Sequence, residues 1–244
     1  MNDIALQRYL NEVGPARERA TGIINHLCSM QRPPQALLMT LLDVLALRRG
    51  PLRDLPLWLR TGGMRCEVLG EPGVARLMLD AADREDGRRL LLIDDLAQLW
   101  NLGKAMGMSF ASLHARICEP RVGAVEHARL RRLALCRVGL TAMAVELEIA
   151  EFERQLIRAL LDSCEQRLPG GGFGLRWLPA RCLEAEQRTE EQRDELAELL
   201  SRDPTRAPGW ARAGAALLDS YAATLDPELI RPSIDSLERV MAAL

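Results

Sequence analysis

Apolar residues recur at spacings of three and four along almost the whole chain, and this periodicity constrains the fold more than any other feature. A helix places residues at these spacings on one face. Strands would need alternating runs rich in Val, Ile, Thr and aromatic residues, yet aromatic residues make up only 4% of the sequence. At 244 residues, the chain is long enough to bury one sizeable core. The sequence therefore predicts an all-α compact bundle that forms a single helical domain over residues 1–244.

Proline and glycine residues divide this pattern into segments, because both residues interrupt helices. The predicted helices lie at 3–12, 15–30, 34–48, 52–60, 71–83, 86–101, 108–117, 121–138, 139–167, 176–202, 207–225 and 231–243. The glycine cluster in PGGGFG at 169–174 predicts a reversal loop between two long helices.

Charge and cysteine usage count against several classes of protein. The chain has 32 Lys+Arg and 34 Asp+Glu residues with the signs interspersed, so we expect no nucleic-acid partner. Six widely spread cysteines without a CxxC pair predict reduced thiols instead of a zinc site or a disulfide framework. No run of about 18 apolar residues and no secretory leader pattern is present, so we expect a cytoplasmic protein that does not insert into membranes.

Two predicted helices carry carboxylates on faces that are otherwise apolar. Glu146 follows the run LTAMAV, on a face that the periodicity predicts to be buried, whereas Glu148 falls at the rim. On the next helix, Glu184 shares a face with Ala180 and Gln187. A buried carboxylate must be paired, bound to a metal or protonated. Glu146 and Glu184 are therefore candidate functional carboxylates, and Gln187 is a candidate hydrogen-bonding group.

The alternative for the second helix is an exposed surface on which Arg181 and Arg188 pair with neighbouring acidic residues. The positions predicted to be core on this helix are Leu178, Cys182, Leu183, Leu196 and Leu199.

Several other polar residues are candidates with two interpretations each. Asp80 and Asp83 lie at i,i+3 and either line a bundle pocket or are solvated charges near Arg88 and Arg89. His26 lies in an apolar helical segment and is either a ligand or base, or a core residue with its hydrogen bonds satisfied.

For the remaining histidines and for one cysteine, the sequence favours a role without chemistry. His114 and His127 are expected at the surface or at helix ends. Cys136 lies in the middle of a predicted helix, where a buried inert thiol is favoured over a nucleophile.

Taken together, five segments resemble the heme oxygenase-like superfamily, in particular its PqqC-like and iron-containing redox enzyme branch. ARERATGIINHL resembles the first core helix, and LMLDAADREDGRRLLLIDDLAQLW the segment in which an acidic residue and a histidine line the pocket. AMAVELE is similar to the helix with a central Glu, LPARCLEAEQRTEEQRDELAELL to the helix that reads His-x3-Asp-x2-His, and DPTRAPGWARAGAALLDSYAATLD to the closing helix. The resemblance implies a heme oxygenase-like bundle.

The resemblance also assigns positions to the di-iron site of the family. Glu146 matches the central Glu and Glu184 the helix-borne Asp, but Ala180 and Gln187 stand where the motif has histidines. Arg88 or Arg89 stands where the earlier histidine lies. Because alanine and arginine cannot ligate iron, the resemblance implies a degenerate metal site, and we expect no resident metal.

Three functions remain open. The first, which we favour, is a protein without a cofactor that binds a small molecule or a partner protein in or beside the bundle pocket. The second is a cofactor-independent catalyst. Its acid, base or positioning groups would be Arg88, Glu146, Glu184 and one of the cysteines or His26. The third is an atypical metal-dependent oxidoreductase, with iron as the metal. His26, Asp80, Asp83, Arg181 and Gln187 are the predicted ligand-binding residues. The resemblance also implies a homodimer.

Overall fold

In the computed structural model, residues 3–119, 122–137, 139–168 and 174–225 are described, and all regular structure among them is helical. The helices are α1 (Asp3–Leu27), α2 (Pro34–Arg49), α3 (Leu55–Val68), α4 (Pro72–Gly87), α5 (Arg89–Ala105), α6 (Phe110–Cys118), α7 (Val122–Arg137), α8 (Thr141–Arg167), α9 (Trp177–Arg202) and α10 (Ala207–Leu225), with a short 3-10 turn at Pro204–Arg206. This confirms the all-α prediction. The predicted helix at 231–243 and most of the 169–174 loop lie outside the described residues.

The predicted break at Gly14-Pro15 was wrong, because α1 continues through Pro15 as one helix. Proline removes one backbone hydrogen bond and disfavours a helix interior. Here the residues on both sides of it, including Val13 and Ala16, are buried on the same face. Their packing holds the two predicted segments together.

Helix α8 lies at the centre of the bundle. It contacts α1, α2, α7, α9 and α10, and its first ten residues, 141–150, are all buried. One apolar core cluster contains side chains from every helix of the described chain. A polar residue on α8 is therefore removed from water on nearly every side, which makes the carboxylates of this helix the natural place to look for a site.

Helices α3 and α4 form a hairpin that packs against α7 on the outside of this core. Gly62 of α3 makes the approach to α7 possible, since a Cβ at this position would lie 2.8 Å from the backbone oxygen of Leu135. The close approach leaves the outer faces of α3 and α7 side by side. None of the helices that the structure describes has a stretch long and apolar enough to cross a lipid bilayer.

Candidate functional site

The bundle interior contains a network of buried ion pairs that joins α2, α4, α7, α8 and α9. Its carboxylates are Glu85, Glu146, Glu153 and Glu184, and its fully enclosed cations are Arg48, Arg131, Arg181 and Arg188. Glu146 and Glu153 both project from α8, seven residues apart, which places them on one face two turns from each other. The sequence predicted a buried face for Glu146 and left Glu184 open between an interior and an exposed face; it singled out neither Glu85 nor Glu153.

Glu146 is held by Arg131 of α7 through two parallel hydrogen bonds of 2.9 and 2.8 Å. The second arginine near it is Arg188, whose Nη2 lies 3.6 Å from Oε2 of Glu146. Burial alone would raise the pKa of this carboxyl, but the charge of Arg131 and its hydrogen bonds outweigh burial and lower the pKa below the usual value. Glu146 is thus an anion at neutral pH.

Glu153 lies two turns after Glu146 on α8 and accepts hydrogen bonds from three side chains. Arg181 Nε donates to Oε2 at 3.0 Å, Tyr221 donates to Oε1 at 3.1 Å, and Arg48 also pairs with Oε1. Burial opposes ionisation, yet the charges of Arg181 and Arg48 hold the pKa of this carboxyl far below its ordinary value.

Glu184 of α9 connects this interior to the surface. It accepts from Arg181 at 2.9 Å and from Arg84 at 3.0 Å, and it also pairs with the half-buried Arg88. Arg188 lies 3.6 Å away on the same helix. Burial would raise the pKa of the carboxyl, but the surrounding charges, that of Arg181 foremost, lower it to about 2.

The structure therefore brings together four predicted site residues: Glu146, Glu184, Arg88 and Arg181. Arg188 lies 3.6 Å from an oxygen of each of the two glutamates and so stands between them. The alternative of an exposed surface that carries Arg181 and Arg188 was wrong, because both arginines are almost fully buried beside Glu184. Arginine side chains donate to both carboxylate oxygens of Glu146 and of Glu184.

This donor set does not fit an iron site. Each buried carboxylate is already bound by at least two arginines, and a cation placed among them would meet the repulsion of several permanent positive charges. Among the described residues, no group of three or more His, Cys, Asp or Glu side chains is arranged to hold a metal ion. The arrangement can fix helices relative to one another, and every carboxylate of the network is already paired with arginine.

A second buried carboxylate cluster ties α1 to α8. Glu148 was predicted at the rim, and this was wrong, since it is 1% exposed. It accepts two hydrogen bonds from Arg17, of 2.7 and 2.8 Å, and one of 2.7 Å from the hydroxyl of Tyr9. Room for this cluster comes from Gly214 of α10, where a Cβ would lie 2.9 Å from Cγ of Glu148.

His127 was expected at the surface or at a helix end, and this was wrong as well. It is fully enclosed on the inner face of α7, where its ring stacks on Tyr221 with 4.9 Å between centroids. Neither ring nitrogen has a hydrogen-bond partner among the described residues. Burial and then the nearby charges of Arg131 and Arg48 hold the pKa of His127 well below its usual range. A sequence signal for its burial is the spacing of three and seven residues that places Ala124, Leu130 and Ala134 on its face of the helix.

Asp95 is a structural residue that the sequence did not single out from its acidic neighbours. It extends from α5 to the start of α9, where its carboxylate accepts hydrogen bonds from the backbone N–H groups of Arg176, Trp177 and Leu178 at 2.8, 3.0 and 3.2 Å. Capping of this kind satisfies the unpaired donors of a first helical turn. The sequence around the start of α9 does not reveal this cap, because the capping residue belongs to another helix, α5.

The other predicted ligand-binding residues lie apart from the network. His26 is exposed in the last turn of α1, so the core interpretation was wrong, and Gln187 is exposed on α9. Asp83 is exposed and pairs with Arg60 at 2.9 Å, as the solvated-charge interpretation expects, and Asp80 is half-buried.

Two further expectations concern apolar side chains and thiols. Leu183 was predicted to be core but is 62% exposed, because the buried face of α9 is rotated toward Arg181 and Glu184. Burial raises the pKa of the Cys136 thiol, which does not favour a nucleophile.

A surface with exposed apolar side chains lies outside the network, between α3 and α7. We name it the α3–α7 groove; it has a volume of about 610 Å³. Its apolar lining residues are Leu57, Trp58, Leu133 and Cys136, and its charged lining residues are Arg65, Arg129, Arg132 and Arg137. Along α3 the apolar surface continues through Met64, Val68 and Leu69, of which Val68 is 88% exposed.

The arginines of the groove differ from those of the bundle interior. Arg132 and Arg137 form no ion pair with any residue that the structure describes, while Arg65 donates to the backbone oxygen of Cys136 at 2.8 Å. None of the residues that line the groove is acidic. Arg129, by contrast, pairs with Glu126 at 2.7 Å. This surface therefore combines apolar side chains with the positive charge of Arg132 and Arg137, which no carboxylate of the described chain pairs.

A comparison of the chain with protein-family models, with curated proteins and with solved structures finds no match.

Proposed function

We propose that this protein is a binding protein whose α3–α7 groove docks an amphipathic helix of a partner protein, with acidic residues on the flanks of that helix. The observation that carries the proposal is the exposed apolar stripe on α3. Leu57, Met64 and Val68 follow one another at spacings of seven and four, so they lie on one face, and each is more than 60% exposed. Such a stripe is typical of surfaces that receive an apolar helix face.

The charges beside the stripe define the partner further. Arg132 and Arg137 lie along one edge without acidic partners in the described chain, so the groove favours carboxylates on its ligand. Charge complementarity of this kind increases the association rate and selects against basic partners.

The bundle interior is less suited to a function of its own than the groove is. Glu146 and Glu184 are saturated by arginine, and their pKa values lie below the ordinary range, so they are poor proton donors at neutral pH. Their arrangement favours a role in holding the fold over the catalytic alternative, in which Glu146, Glu184 and Arg88 act on a small molecule.

The finer fold assignment is part of the same proposal. We infer that the bundle is a divergent heme oxygenase-like one in which arginines have taken the place of the metal. The two carboxylates that match the family motif, Glu146 and Glu184, both lie within 3.6 Å of Arg188, which supports the inference. A crystal structure in which the helix order and packing differ from those of a heme oxygenase-like oxidase would refute it.

Peptide selection tests the docking proposal. A library of random helical peptides is selected against the immobilised full chain, and the selected peptides are then measured against Leu57→Glu/Val68→Glu. The matched control is Ile4→Glu/Leu90→Glu, which places the same charges at two other strongly exposed apolar positions. We expect acidic amphipathic peptides that bind the wild-type chain and the control, and bind the groove variant at least about tenfold more weakly.

Equal binding to the groove variant and the control would refute the docking proposal. Sedimentation of the same variants identifies a second copy as the occupant. If the wild-type chain is a dimer and only Leu57→Glu/Val68→Glu is a monomer, the groove is a homodimer interface and the partner proposal is wrong.

A further inference from the structure

We propose that a cavity between α2 and α6 binds a small organic cation, a primary amine on an apolar body. The cavity has a volume of about 440 Å³, which lies within the range of small-molecule sites. It shares no lining residue with the α3–α7 groove, so the inference is independent of the proposed docking function. Three features of the cavity support it: its apolar walls, the helix ends that meet there, and its charged side chains.

The walls of the cavity are largely apolar. Met39, Ala46 and Leu47 line it from α2, and Ala115 and Ile117 line it from α6. Sites for small molecules are typically apolar clefts in which a few polar groups fix the orientation of the ligand. Such walls favour a ligand that has an apolar body and one charged group.

Two helices end at the cavity, and the C-terminal end of a helix is its negative pole. Helix α2 ends at Arg49, and the next residue, Gly50, lines the cavity. Helix α6 ends at Cys118, which lines the cavity together with Glu119. Helix α7 contributes Ala124 from its first turn, which partly offsets this effect. With two negative helix ends against one positive end, the backbone favours a positive charge in the cavity.

The charged side chains of the cavity have the same preference. Among the described lining residues, Asp43 and Glu119 are acidic and Arg116 is basic, which gives a net charge of −1. Arg116 Nη1 donates to both carboxylate oxygens of Asp43 at 3.1 Å, so its charge is already shared with that residue. Glu119 is exposed and forms no ion pair with any residue that the structure describes. A cation is therefore the complementary ligand.

The carboxylate of Asp43 is stabilised less than the carboxylates of the buried network. Burial raises the pKa of Asp43 to about 7, although the charges of Arg116 and Arg32 lower it. The pKa values of Glu146 and Glu184, by contrast, lie below the ordinary range. A further positive charge in the cavity would stabilise the ionised form of Asp43, whereas the glutamates of the network are already surrounded by arginine.

Matched pairs of small molecules test the charge preference. Benzylamine and cyclohexylamine are cations at neutral pH, and benzoate and cyclohexanecarboxylate are anions of similar size. Each compound is titrated into the isotopically labelled full chain, and NMR follows the backbone amide signals of the residues that line the cavity. We expect both amines to bind saturably and both acids to bind at least about tenfold more weakly.

Two substitutions, each with a matched control, locate the binding. Ala115→Phe places a large side chain in the cavity, and Ala111→Phe adds the same side chain at an exposed position one turn earlier on α6. Glu119→Gln removes an exposed carboxylate at the cavity, and Glu190→Gln removes an exposed carboxylate on α9.

We expect benzylamine to bind Ala115→Phe at least about tenfold more weakly than the wild-type chain, and Glu119→Gln about threefold more weakly. Both controls should bind it with wild-type affinity. The amide spectrum of each variant reports its fold, and if Ala115→Phe does not fold, the exposed substitution Glu119→Gln decides.

Equal affinities for the amines and the acids, or no saturable binding of either amine, would overturn the inference. Wild-type affinity in both cavity variants would overturn it as well, since the amines would then bind elsewhere. Shifts of the cavity residues that grow with protein concentration in the absence of amine would assign the cavity to a second copy of the chain, which also contradicts the inference.

Discussion

The two faces of α7 place adjacent arginines in opposite environments. Arg131 faces inward, is fully buried and donates two hydrogen bonds to Glu146, whereas Arg132 faces the α3–α7 groove and forms no ion pair within the described chain. A buried charge must be compensated internally, so the inner face is closed to further ligands. An exposed charge is compensated by water and can exchange that water for a partner. The fold thus uses the same residue type for cohesion on one side and, if the proposed function holds, for recognition on the other.

The strongest test of this contrast is to neutralise each arginine in turn. We expect Arg131→Met to lower the free energy of unfolding by about 3–5 kcal/mol, because Glu146 would stay buried with only Arg188 nearby. Arg132→Met, the matched control one residue away, should change it by less than about 0.5 kcal/mol. Urea denaturation measures both values. Similar losses of unfolding free energy for the two variants would show that the inner and outer faces of α7 contribute equally to stability.

A second test concerns the contact between α5 and α9. Asp95→Ala removes the carboxylate that accepts three backbone N–H groups, and we expect a loss of about 1–2 kcal/mol in the free energy of unfolding. Asp94→Ala is the control, since Asp94 is exposed and adjacent. If the two substitutions have the same effect, the cap does not position α9.

The inner face should also respond to pH through His127. Its pKa is lowered in the folded protein from the ordinary 6.5, so the unfolded chain binds more protons between the two values. The free energy of unfolding should therefore decrease as the pH falls below about 6.5, by at most about 1.4 kcal/mol per pH unit from this residue.

A comparison with His127→Phe isolates the contribution of His127 to the pH dependence of stability. This variant keeps an aromatic ring against Tyr221. The difference in stability between variant and wild type should grow in favour of the variant as the pH falls from neutrality. Other groups, such as Asp43, whose pKa is raised to about 7 chiefly by burial, titrate in both proteins and cancel. Stability curves that stay parallel across this range would mean that His127 is solvated.

The smallest expected effect belongs to the outer face. Val68→Ser should leave the free energy of unfolding within about 0.5 kcal/mol of the wild-type value, because this side chain is 88% exposed. Binding of the selected acidic peptides should nevertheless weaken. A destabilisation above about 1 kcal/mol would instead assign Val68 to the core and remove the stripe from the docking surface.

The sequence predicted the class of the fold and the buried face of Glu146 because periodicity reports which face of a helix is apolar; for Glu184 it left an interior and an exposed face open. It did not predict the burial of Arg181, Arg188 or His127. An arginine on an amphipathic helix reads as solvent-facing unless its partner is known, and here the partners come from other helices.

The site also depends on distant pairings that local patterns do not contain. Glu153 of α8 meets Arg48 of α2, which lies 105 residues away in the sequence. Leu183 was misplaced for the same reason: the arginine–glutamate contacts, and not the leucines alone, determine which side of α9 faces inward. The sequence did not reveal the α3–α7 groove either, since it exists only where α3 and α7 meet.

The hydrogen bonds from the start of α9 to Asp95 have a consequence for how the chain can be lengthened. Because α5 holds the first turn of α9, the position of that helix does not depend on the connection that precedes it. Extra residues inserted between Leu168 and Gly174 should therefore be tolerated without displacing Glu184 or Arg188. This connection is the point at which a fluorescent reporter or a second domain can be added while the bundle stays in register.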